Sequence, residues 1–202
     1  MTTTFGAGKS HTGERILSTA TGLFARYGYN GVSTRDIAVA AGVNEVTIYR
    51  QYQRKRDLYL AVLDAALGQV RLPGDMLTQI AQAESVQMVL NRTFELVAMT
   101  LNRQPELLGL LHFSVLEFSD DLDPLFRRHF GELVKVLARY IDPWIRRGDL
   151  RCPDAKMLIL TLIAIVLSHR SLHRIFSDGG PASAPMVESY AEVLWGLQNV
   201  GN

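Results

Sequence analysis

The polar side chains between residues 34 and 52 are the ones whose types and spacing point to a definite chemistry. Arg35, Asn44, Glu45, Thr47, Arg50 and Gln51, with Tyr49 at the edge, would face outward from two short helices whose inner faces carry Ile37, Ala38, Val43 and Ile48. Such side chains can hydrogen-bond the edges of DNA bases and the oxygens of phosphates, and a single helix fits the major groove. Three other groupings imitate sites. His169 and His173 stand four apart, a metal-ligand spacing on a helix, but Arg170 occupies the position where a hydrolytic zinc motif needs Glu. A structural or pocket role fits that pair better than a metal. Gly6-Ala-Gly-Lys9-Ser10 ends like a phosphate-binding loop, yet Thr3 stands where the loop's first Gly belongs and no strand precedes it. It reads as a flexible basic arm able to brush the DNA backbone or minor groove. Cys152 is alone, which rules out an internal disulfide and an all-Cys metal site, and no base is assigned to activate it. These residues predict no catalytic constellation, no metal and no cofactor.

Helices must position the polar series. Ile16, Leu17, Ala20, Leu23, Phe24 and Tyr27 recur at helical spacing, so a first helix is expected over 12–27, stopped by Gly28. Ser33 followed by Asp36 resembles a capping box and opens a second helix that ends near Ala41. Gly42 tolerates the left-handed backbone of a turn, Val43 packs inward, and Asn44 caps a third helix reaching about Tyr52. Small Ala38 lets the two helices approach, while Ile37, Val43 and Ile48 fill their shared core. A fourth helix is expected over 54–71, closed by Pro73-Gly74, and others over 85–103, 105–118, 124–147, 154–176 and 185–199. Asp178-Gly-Gly-Pro-Ala-Ser would link the last two. The expected fold is all-α, with about nine helices.

Composition narrows the class. Of 202 residues 48% are hydrophobic and 20% charged, a balance that supports a buried core and lies far from disordered chains. The longest apolar run, Met157 to Leu167, is 11 residues long, whereas a membrane span needs about 20. Met1 to Ser10 lacks the apolar stretch of a secretory signal, so a cytoplasmic protein without a membrane partner is expected. The net charge of +1 conceals a division: residues 1–56 hold 8 Lys/Arg against 3 Asp/Glu, or +5, leaving 13 against 17, or −4, for the rest. A cationic face on the first segment alone could meet phosphates.

The stretch 14–62 resembles the TetR family of regulators. Ile37-Ala38, Ala41-Gly42-Val43, Thr47-Ile48-Tyr49 and Lys55 with Leu58 all fall at that family's spacing. The resemblance implies a three-helix DNA-binding head and a divergent helical body that binds an inducer and dimerises through its last two helices. Carried over residue by residue, it implies that Arg35, Glu45, Val46 and Thr47 approach bases and that Thr34, Tyr49 and Lys55 hold phosphates, with Gln51 a further candidate. The family often has Ser where Asn44 stands, and Phe-x-Ser-Lys where this chain reads Tyr52-Gln-Arg-Lys55. Arg54 and Arg56 would enlarge the phosphate contact.

The expected organisation is a flexible arm over 1–11, a helix-turn-helix domain over 12–56, and a ligand-binding and dimerisation domain over 57–202. His112, Phe113, Leu116, Glu117, Trp144 and His169 are pocket candidates because they place a few polar anchors on apolar helices. Pairing through 154–176 and 185–199 would bury Leu158, Leu162, Ile165 and Leu194. A homodimer of this kind implies a palindromic double-stranded operator, with a small-molecule inducer relieving repression through the fourth helix. Two other classes stand beside this reading: an architectural DNA binder without an inducer, and a helical enzyme using the body pocket.

Overall fold

The computed structural model describes the backbone of residues 11–117 and 119–176, and their side chains apart from those of 115–123, 126 and 170–176. Nine helices and no strand make up the regular structure of these residues: α1 His11–Tyr27, α2 Thr34–Ala41, α3 Glu45–Tyr52, α4 Lys55–Leu67, α5 Gly74–Ala81, α6 Val86–Asn102, α7 Pro105–Glu117, α8 Ser119–Arg146 and α9 Ala155–Phe176. The arm over 1–10, the linker at Asp178, His173 as a side chain, and the helix expected over 185–199 with its Leu194 lie outside the described residues.

Two apolar cores organise the chain. The first joins Ile16, Ala20 and Phe24 of α1 to Ile37 and Ala38 of α2, Ile48 of α3, and Leu58, Tyr59, Val62 and Leu63 of α4. Each fully buried aliphatic side chain contributes about 1.5–3 kcal/mol relative to exposure, so this small head is held chiefly by its inward faces. The second core gathers Leu67 of α4 with α5 to α9, including Ile80, Phe94, Leu107, Leu137, Ile141, Ile159 and Leu162. Helix α4 therefore starts in one core and ends in the other.

Head and body are also joined by α7. Leu110 is fully buried within the head's core. The Tyr59 hydroxyl donates to its carbonyl at 3.4 Å. A Cβ on Gly109 would stand 2.2 Å from the Ala25 carbonyl oxygen, and one on Gly28 2.9 Å from the Phe113 ring. Helices α1 and α7 thus meet backbone to backbone, which glycine alone permits.

Several boundaries differ from the sequence reading. Helix α5 is not expected from the sequence, because Pro73-Gly74 reads as punctuation; here it precedes a short helix whose Met76 and Ile80 share one buried face. Helix α4 stops at Leu67 rather than at 71, and the Arg71 guanidinium donates to the Gly68 and Val70 carbonyls at 2.6 and 2.8 Å, folding the chain back over the helix end. Helix α8 begins at Ser119 and runs through Pro124, the residue expected to start it.

Candidate nucleic-acid interface

The turn between α2 and α3 is built from local rules. Ser33 and Asp36 form a reciprocal capping box: the Ser33 hydroxyl accepts from the Asp36 N–H at 3.1 Å, and the Asp36 carboxylate accepts from the Ser33 N–H at 2.9 Å and its hydroxyl at 2.6 Å. Those Ser33 bonds, with the nearby Arg35 and Lys55 cations, hold the Asp36 carboxyl below its ordinary range. Gly42 takes φ 62°, and its N–H and that of Val43 close α2 on the Val39 and Ala38 carbonyls at 3.1 and 3.0 Å. Asn44 then caps α3, its side-chain oxygen accepting from the Val46 N–H at 2.9 Å.

A polar chain locks the two helices together. The Thr34 hydroxyl donates to Glu45 Oε1 at 2.5 Å and lies 3.0 Å from the Tyr49 hydroxyl. Thr34 has one proton to give, so the order runs from Tyr49 to Thr34 to the carboxylate. Thr34 is 7% exposed, and Glu45 is half-buried. The outward side of α3 holds Val46, 63% exposed, with Tyr49, Arg50 and Gln51 exposed and Thr47 half-buried; Arg35 is exposed at the start of α2 and Asn44 ahead of α3. All ten residues singled out as DNA contacts therefore lie in one head, but Thr34, Glu45 and Asn44 already serve its internal geometry.

At the far end of α3, Gln53 adopts φ 45° and ψ −48°, and the Arg54 N–H bonds to the Tyr52 carbonyl across it. This is a γ-turn with positive φ, a strained conformation for a residue with a Cβ. It redirects the chain into α4 within three residues and brings Lys55 back beside the head, its Nζ 4.1 Å from the centre of the Tyr29 ring. Arg54 is instead committed to Asp57, with Nε to Oδ2 at 3.1 Å and a second bond at 3.0 Å, which together raise the guanidinium's pKa further. Burial pushes the Tyr52 hydroxyl upward, consistent with its place behind the turn.

Tyr29 is a residue the sequence reading missed; a second aromatic two places after Tyr27, across Gly28, was the available signal. Gly109 was missed too, although a glycine inside an apolar helix marks a close approach. Val39, 75% exposed on α2, carried no signal in the periodicity.

In the body, the candidates scatter. Phe113 is half-buried against Gly28 and belongs to the junction with the head, while His112 beside it is exposed, the two rings edge to face at 5.4 Å. Trp144 is half-buried near the end of α8, covered by the Arg147 guanidinium at 4.3 Å. His169 is half-buried on α9. Helices α8 and α9 form a hairpin, so the rise per residue separates Trp144 from His169 by about 18 Å. The side chains of Leu116 and Glu117 lie outside the described residues. Leu158 and Leu162 are already buried within this one chain, and half-buried Ile165 packs on the same core. The outer side of α9 instead carries Met157, Leu160, Ala164 and Ser168.

Helix α4, the lever between head and body, meets α8 at a polar junction: His129 Nε2 and Arg128 of α8 stand 2.8 and 3.2 Å from Asp64 Oδ1 of α4. Among the described residues no helix is long and apolar enough to cross a membrane.

Known proteins share these features. Residues 16–62 match the bacterial regulatory proteins, tetR family. A stretch of 52 residues is 40% identical to an uncharacterized HTH-type transcriptional regulator, YvkB, of Bacillus subtilis (strain 168), covering 26% of this chain and 28% of that protein. The fold extends further than the sequence match. The transcriptional regulator FadR from Bacillus subtilis, solved in complex with stearoyl-CoA, superposes with a TM-score of 0.63 over 90% of this chain and 96% of its own, at 18% identity. PfmR, a TetR family transcriptional regulator from Thermus thermophilus, gives 0.63 over 92% and 96%, at 16% identity. The tetR family model thus matches the head of this chain in sequence, and the chain as a whole shares its fold with solved transcriptional regulators.

Proposed function

We propose that this protein is a transcription regulator, a repressor, that binds a palindromic double-stranded DNA operator as a homodimer in the cytoplasm and is released by a small molecule taken up in its body. The observation that carries the reading is the outer face of α3: exposed Val46, Tyr49, Arg50 and Gln51 stand on a helix whose inner side is fixed by Ile48 and by the Thr34–Glu45–Tyr49 chain. A rigid helix with a polar outer face on the cationic end of the chain suits the major groove.

Within that interface, Arg35, Asn44, Val46, Thr47, Arg50 and Gln51 are assigned to base edges and the groove wall. Lys55 and Tyr49 are assigned to phosphate. Thr34 and Glu45 are assigned mainly to holding α3 in place, because their polar atoms already meet one another. The head, proposed over 12–56, draws on the first half of α4 for its core, and the body over 57–202 carries ligand and dimer contacts. Pairing through α9 would use Met157, Leu160 and Ala164.

A ligand that favours a body conformation with α4 displaced would change the spacing of the two heads. The Asp64 junction with His129 and Arg128 is the link through which α8 would move α4, with a coupling of about 1–3 kcal/mol. The stearoyl-CoA complex of one structural neighbour supports a body of this fold taking a small molecule, without identifying the one for this chain.

The test is selection of binding sites from randomised duplexes, followed by competition with random DNA. The regulator reading expects an inverted repeat bound at least about a thousandfold more tightly than random duplex. Equal affinity for both would overturn it and favour an architectural binder.

A further inference from the structure

The first turn of α3 commits most of its polar atoms inside the head. Asn44 Oδ1 accepts from the Val46 N–H, and Glu45 Oε1 accepts from Thr34. What that turn presents outward is an isopropyl group: Val46 is 63% exposed. An apolar group held at the leading edge of a groove-entering helix, on the segment with the +5 charge, has one apolar complement in the major groove. That complement is the C5-methyl of a pyrimidine, carried by thymine, since the remaining base-edge atoms there are hydrogen-bond donors and acceptors.

We propose that Val46 is a specificity-determining residue that reads the C5-methyl of a pyrimidine at one position in each operator half-site. The inference rests on the DNA-binding reading above and adds the chemistry of one contact to it. Val46 recognises the methyl rather than the hydrogen-bonding edge, so 5-methylcytosine satisfies it where cytosine does not, and deoxyuridine fails where thymine succeeds. The head holds the isopropyl in place before DNA arrives: the Asn44 cap fixes the backbone at Val46, and the Thr34–Glu45–Tyr49 chain fixes the helix against α2.

The experiment uses the full chain and the duplex recovered by selection. Each thymine is replaced in turn by deoxyuridine, and binding is compared for the native protein and Val46→Ala, a change at an exposed site that should leave thermal unfolding unaltered. Burial of one methyl predicts a loss of about fourfold when the position is changed in one half-site, and about fifteenfold when its symmetry mate in the other half-site is changed as well. Val46→Ala should show no further loss at that pair. With the T·A pair changed to C·G, methylating the cytosine should recover about the same factor for the native protein and nothing for the variant. A deoxyuridine scan without a sensitive position, or a variant that keeps the same discrimination there, overturns this inference while leaving the regulator reading intact. A native protein that selects no sequence at all overturns both.

Discussion

Replacing Gly109 by Ala tests whether head and body are joined through α1 and α7. An ordinary Gly-to-Ala change inside a helix stabilises by about 1 kcal/mol, because alanine restricts the unfolded backbone. At Gly109 the added Cβ would stand 2.2 Å from the Ala25 carbonyl oxygen and 3.1 Å from the Ala25 Cα, and neither atom belongs to a side chain that could swing aside. Normal contact is about 3.4 Å, so α1 and α7 must part by about 1 Å, which loosens Phe113 over Gly28 and Leu110 in the head's core. Overpacking of this kind costs about 1–3 kcal/mol or more, and with the propensity gain subtracted a net loss of about 2 kcal/mol is expected at the upper end of that range. For a chain of this size that lowers Tm by about 4–8 °C. Gly22 of α1 and Gly131 of α8 have open space around a Cβ, so the same substitution there should raise Tm by about 2–4 °C. Circular dichroism melts of the three variants decide the matter, with operator titration to follow the head. If Gly109→Ala melts with the two controls, the close approach of α1 and α7 is wrong, and the transmission of strain between head and body must run through α4 alone.

Four further expectations bear on the head and its lever. Lys55→Ala should weaken binding to operator and random duplex alike and reduce the slope of log affinity against log salt by about one; a loss confined to one sequence would instead make Lys55 a base contact. Arg35→Ala should relax preference at particular base pairs in a binding-site selection, and a uniform loss would mark it as a phosphate contact. Ser33→Ala removes the α2 cap and should cost about 1 kcal/mol in denaturant titration. Because the Ser33 bonds lower the Asp36 pKa, the native contribution is present above the ordinary value of 3.8 and is lost as pH falls through the lower folded value. The stability difference between native protein and Ser33→Ala should therefore shrink in acid, and a difference that grew there would contradict the capping box. Asp64→Asn should change stability by less than about 1 kcal/mol, since Asp64 is 42% exposed, yet shift operator affinity about fivefold or more if α8 sets the position of α4.

The sequence by itself determined the head almost completely, because local rules act there: the Ser33 and Asn44 caps, the left-handed Gly42, and the alternation of Ile37, Ala38, Val43 and Ile48 with polar neighbours each constrain the backbone within four residues. The all-α class and most helix limits followed from periodicity for the same reason. Helix α5 escaped notice because eight residues with two buried positions carry too short a period to stand out against Pro73-Gly74. Tertiary structure alone decided which outward-looking groups are free. Thr34 and Glu45 are polar and near the groove-facing helix, but they meet each other only once α2 crosses α3. Phe113, an apolar residue on an apolar helix, became a head contact only when α7 lay against Gly28, and Leu158 and Leu162 turned inward only when α9 packed on the body core. Periodicity says which side of a helix is buried. It does not say against what, because the partner is chosen by contacts far apart in the chain.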